Sequence, residues 1–111
     1  MLRALDRDPH AQRLDDLLRS FRTQEAAMVR LLAEVSQDLE CCQREANFLR
    51  ATRPAAAERM LDRCRDLQLE CDLLATELVH VRMAVAGAGD ELDEHRRRRP
   101  HGAEHGTRLP A

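Results

Sequence analysis

The residues of this 111-residue chain with the widest chemical reach are its four cysteines, at 41, 42, 64 and 71, and its five histidines. Thiols hold metals, form disulfides and act as nucleophiles. Spacing decides among these roles. A zinc site needs ligands converging within bonding distance, usually as a Cys-x-x-Cys pair, and no such pair exists here. Cys64 and Cys71 stand one heptad apart, on the order of 10 Å along a helix, and His80 lies further on still. No metal and no other cofactor is expected. The cysteine spacing is also unlike the disulfide frameworks of small secreted domains, which favours free thiols in a reducing compartment. Cys41, Cys42 and Cys64 remain the candidates for redox chemistry. Cys42 and Cys64 would face each other if the chain folds back on itself, whereas the plainer reading makes each a small hydrophobe in a packed seam. Cys41 points away from that seam and is better suited to intermolecular bonding or modification.

Other chemistry is thinly represented. Carboxylates are plentiful, but none pairs with a His or Ser in a catalytic pattern, and the four glycines come too late for a phosphate-binding loop. No enzyme is expected. Arg96 to Arg99 form the single basic run, which resembles nuclear-import and nucleic-acid-binding tails. Asp93 and Glu94 precede it at i, i+4 spacing from Arg97 and Arg98, so a self-neutralised helix end is the simpler reading. With two Phe, no Trp, no Tyr and a formal charge of −2, nothing favours stacking on bases or a general attraction to polyanions. Nucleic acid is therefore an unfavoured partner.

Charged residues make up 34% of the chain, and its apolar residues are mostly Leu, Ala and Val, a composition that suits long helices better than a compact globule. Asp8 is a suitable N-cap and Pro9 a suitable first helical residue. From there Ala11, Leu14, Leu18, Phe21, Glu25, Met28, Leu32, Val35, Leu39, Cys42, Ala46 and Leu49 follow in alternating steps of three and four. Only Glu25 interrupts the apolar character, and six heptads are ample for a coiled coil. The pattern halts at Thr52 to Pro54. It resumes in a new phase with Ala57, Met60, Cys64, Leu67, Cys71, Leu74, Leu78, Val81, Val85, Ala88 and Leu92. Gly87 and Gly89 weaken its end, so the second helix is expected to finish near Ala86, with residues 90 to 99 continuing it loosely.

Two architectures carry these seams. One is a continuous rod with a four-residue stutter at the break. The other, favoured because a mid-helix proline costs about 3 kcal/mol, is an all-α antiparallel coiled-coil hairpin. Its expected divisions are an N-terminal extension over 1–8, a first helix over 9–51, a turn over 52–54, a second helix over 55–94 and an arginine-containing disordered tail over 95–111. Folding about Arg53 opposes Leu49 to Ala57, Cys42 to Cys64, Leu39 to Leu67, Val35 to Cys71, Phe21 to Val85 and Leu14 to Leu92, each pairing an a with a d position.

What the seam leaves over points toward function. Leu69, Leu73, Thr76, His80 and Met83 repeat at four and three on the outer side of the second helix. Leu17, Ala27 and Leu31 widen the seam of the first. A periodic apolar set on a hairpin asks for a covering helix, from a second copy or from another subunit. Leu17, Leu31, Leu69, Leu73, His80 and Met83 are thus the expected protein interface. Glu25, the charged seam position opposite Val81, is expected to fix register or partner choice, or to reach outward toward Arg22 or Arg82.

The segment from Leu31 to Leu49, with Cys41 and Cys42 ahead of Asn47 and Leu49, resembles the paired-cysteine coiled coil of the poxvirus envelope fusion protein family. The likeness covers under a fifth of the chain. That family's C-terminal signature is missing, and Pro54 interrupts the coil that should continue, so no residue role is carried over.

No apolar run approaches the roughly 18 to 20 residues that cross a bilayer, and Met1 to His10 do not form a signal peptide. The expectation is an intracellular soluble protein, cytoplasmic or nuclear, that serves as a coiled-coil assembly or adaptor subunit. The alternatives are a nuclear or nucleic-acid-associated regulator acting through the arginine tail and a small viral structural coiled-coil protein.

Overall fold

A computed structural model describes residues 8–98. The structure is an all-α helical hairpin of two helices, α1 (Pro9–Leu49) and α2 (Pro54–Arg98). Both begin with proline, and for the same reason: a first-turn residue has no intrahelical acceptor for its N–H, so the missing donor costs nothing there. Asp8 caps α1, its Oδ1 accepting from the backbone N–H of His10 at 3.0 Å and of Ala11 at 3.3 Å.

The turn differs from the expected one by a shift toward the N-terminus. α1 stops at Leu49 rather than at 51, and the backbone N–H groups of Thr52 and Arg53 both donate to the Leu49 carbonyl, at 3.1 and 2.7 Å. Pro54 is not part of the break. Proline disfavours helical geometry in its predecessor, so Arg53 stays outside the helix while its carbonyl accepts the first bond of α2, from the Ala57 N–H at 2.9 Å.

The far end of α2 corrects a second expectation. The helix does not finish near Ala86, nor does helical structure give way to a tail at 95; it runs unbroken through Gly87 and Gly89 to Arg98. Each helical glycine costs about 1 kcal/mol relative to alanine. Burial offsets this, because Ala88 and Leu92 lie beyond and beside the glycines and are both buried. Burying a leucine alone contributes about 1.5–3 kcal/mol. The rest of the expected arginine tail, and the N-terminal extension up to residue 7, fall outside the described residues.

The chain divides into two compact units. Among the described residues the terminal unit comprises 8–24 and 81–98. Its core is Leu14, Leu18, Ala88 and Leu92, with Ala11, Phe21 and Val85 packed against it. The central unit, 25–80, contains the turn. Its cluster of Val35, Leu67 and Cys71 is flanked by Leu32, Leu39, Cys42 and Leu74. In each unit the two helices meet antiparallel, low numbers of α1 against high numbers of α2, in agreement with the register folded about Arg53. The hairpin, not the stuttered rod, is the architecture.

Candidate functional site

Within the central unit the heptad seam turns one stripe of each helix inward and presents the remainder outward. Leu69 and Leu73, at f and c of α2, are 61% and 70% exposed. Thr76 and His80 continue their row and are also exposed. The Thr76 hydroxyl donates to the Asp72 carbonyl one turn back, at 3.0 Å. Its hydroxyl is thus bonded to its own helix between Leu73 and His80 in the row. Leu31, at g of α1, is likewise exposed.

Two residues of the expected interface, Leu17 and Met83, belong to the terminal unit. Both are exposed there, Met83 by 66%. Glu25 keeps its seam position in the central unit, half-buried.

Three exposed apolar side chains escaped the reading of the sequence. Phe48 is 79% exposed, and Val29 and Val79 are also outward. Phe48 lies at a c position one heptad beyond Cys41, and that spacing was the signal that could have marked it. Val29 stands at e of α1 and Val79 at b of α2, on the flank opposite to Leu31. The stretch of α1 from Ala26 to Ala33 is thereby apolar on nearly every side, with Arg30 the exception.

The cysteines are all free. Cys41 is exposed, and Arg44 donates from Nη2 to its Sγ at 3.5 Å. Cys71 is buried, with Ser36 Oγ across the helix pair 3.7 Å from its Sγ. Cys64 is buried; burial pushes its thiol above its ordinary value, and the neighbouring Cys42 from the facing helix adds to the effect. Among the described residues no group of three His, Cys, Asp or Glu side chains is placed to hold a metal ion. No described helix is long and apolar enough to cross a membrane.

The terminal unit carries a polar cluster that the sequence did not announce. His95 Nε2 lies 2.7 Å from Asp8 Oδ2, and the His95 ring meets His10 edge to face at a centroid distance of 4.7 Å. Asp8 thus serves both helices at once, capping α1 with one oxygen and holding α2 with the other. Residue numbers summing to 103 for Asp8 and His95 place the pair close to the mirrored register, a clue that becomes usable once the hairpin is known. Further along, Arg97 and Arg98 both reach Glu94, at 3.1 and 3.5 Å. Arg97 therefore pairs with Glu94 and not with Asp93, the partner that i, i+4 spacing suggested.

These features define a class, the all-α helical hairpin with exposed apolar rows outside its seam. Compared with known protein families, curated proteins and solved structures, the chain matches none.

Proposed function

We propose that this chain is a non-enzymatic assembly or adaptor subunit of a multiprotein complex, acting by helix–helix association. A second copy or a different helical subunit covers its outer rows and completes a bundle. The observation that carries this reading is the exposed pair Leu69 and Leu73. Single exposed leucines are ordinary on protein surfaces. Two large apolar side chains one helical turn apart, continued by Thr76 and His80 on the same face, are a row that another helix can bury. Each leucine gains about 1.5–3 kcal/mol on full burial, enough to drive association once several are covered together. The stretch from Ala26 to Ala33 adds to the case, because a helix apolar all round is ordinarily an interior one. The non-enzymatic part of the reading rests on the lack of any catalytic pairing of side chains in the sequence.

The test is the double substitution Leu69→Asp/Leu73→Asp in the full chain. Sedimentation equilibrium should show the wild type associated and the variant shifted toward monomer, with far-UV circular dichroism nearly unchanged because neither residue belongs to the seam. A wild-type chain that sediments as a cooperatively folding monomer, and binds no helical partner, would remove the basis for the proposal.

A further inference from the structure

Cys42 and Cys64 stand opposite each other in the central unit, one from each helix, in the register that packs Leu39 and Val35 of α1 against Leu67 and Cys71 of α2. The seam layer next to them toward the turn sets Ala46, almost fully covered, against Met60, half-buried. A small side chain such as Ala46 lets two helix backbones approach more closely than a pair of leucines does. A disulfide requires this, because its Cα atoms must lie within about 7 Å of each other. On the other side Cys42 packs against the Val35, Leu67 and Cys71 cluster, which holds its side chain over the seam. The other two thiols are occupied elsewhere, Cys71 beside Ser36 and Cys41 beside Arg44. Cys41 cannot replace its neighbour, since successive side chains on a helix diverge by about 100°.

We propose that Cys42 and Cys64 form a redox-responsive pair, which a low-molecular-weight disulfide such as glutathione disulfide converts to an inter-helix bond locking the central unit in register. Cys42, partly exposed, is the more accessible of the two and reacts first. Its thiolate attacks one sulfur of glutathione disulfide, the sulfur–sulfur bond of the reagent breaks, and one glutathione thiolate leaves. Cys64 then gives up its proton to solvent, and its thiolate attacks Cys42 Sγ. The Cys42 to Cys64 bond forms as the second glutathione departs. Two cysteine thiols are oxidised by two electrons and one glutathione disulfide is reduced to two glutathione thiols. The raised affinity of Cys64 for its proton slows the second exchange at neutral pH.

The consequence for assembly rests on the function proposed above: reduced helices are free to part and re-pair with a partner, and oxidised ones are not. The bond itself requires no partner, so the two ideas fail separately. The experiment uses the full chain incubated with glutathione disulfide, acid-quenched, alkylated and mapped by peptide mass spectrometry. Cys42 and Cys64 should both be lost to alkylation and be found linked to each other within one chain. The variant Cys41→Ala/Cys71→Ala should give the same bond, and Cys64→Ala should stop at glutathione attached to Cys42. If Cys42 and Cys64 both stay alkylatable in the wild type, or if the product is a dimer joined through Cys41, the pairing is wrong. The wild-type map decides the matter even if a variant fails to fold.

Discussion

Replacing Gly87 and Gly89 with alanine tests the feature of this structure that departs most from local propensity. Both glycines lie inside α2, and among the described residues no glycine has a positive φ. A Cβ built on either one meets nothing within 4 Å. Alanine therefore fits without strain, and the expected change is the propensity difference alone, about 0.5–1 kcal/mol at each position. Residues two apart on a helix do not face each other, so the two gains should add to roughly 1–2 kcal/mol. For a domain of about this size each kcal/mol raises the melting temperature by about 4–8 °C, which predicts a rise of roughly 5–15 °C for the double variant. Thermal denaturation followed by far-UV circular dichroism reads it directly, at matched protein concentrations so that any association contributes equally. The sign is the informative part. Were the helix to end near Ala86 and the glycines to form a positive-φ turn, alanine would be strained there and the melting temperature would fall. A fall, or no change, would refute the reasoning that burial of Ala88 and Leu92 carries the helix through.

Asp8→Ala should destabilise the chain by about 1–2 kcal/mol through loss of the α1 cap, and Asp8→Asn by much less, since asparagine caps equally well; chemical denaturation of the two variants makes the comparison. A His95→Ala change compared in both backgrounds isolates the contact across the helix pair, which should vanish when Asp8 is already alanine. The raised Cys64 thiol predicts a pH dependence. The folded chain holds that proton more tightly than the unfolded chain does, so the contribution is fully present below the ordinary thiol value of about 9 and is lost as pH rises through the folded value. Denaturant midpoints under reducing conditions should decline above about pH 9 in the wild type and decline less in Cys64→Ala. An equal decline in both would assign the effect to other groups.

Much of the fold was legible because a coiled coil writes its contacts as a period. The steps from Ala11 to Leu49 and from Ala57 to Leu92 name the residues that the structure buries or half-buries, and Asp8 with Pro9 marks the start of α1 where it is found. The ends of the helices were less legible. Pro54 was read as part of the break, but a proline that stops one helix is equally able to open the next. Gly87 and Gly89 were read as a terminus because propensity is local, whereas the burial that overrides it comes from Leu14 and Leu18 in another helix. The outer row at Leu69 and Leu73 was visible as a second period. Phe48 was not, since a single large residue has no period to betray it.

The sequence by itself determined that the chain is helical, where its seams run and which cysteines belong to them, because these follow from spacing along one helix. It could not choose between a hairpin and a rod, since the same alternation of threes and fours satisfies both. That choice belonged to the tertiary structure, and with it came every feature that needs two distant segments side by side: Cys42 against Cys64, Ser36 beside Cys71, and Asp8 holding His95. Such contacts depend on which layers meet, and register is a property of the packed pair, not of either helix alone.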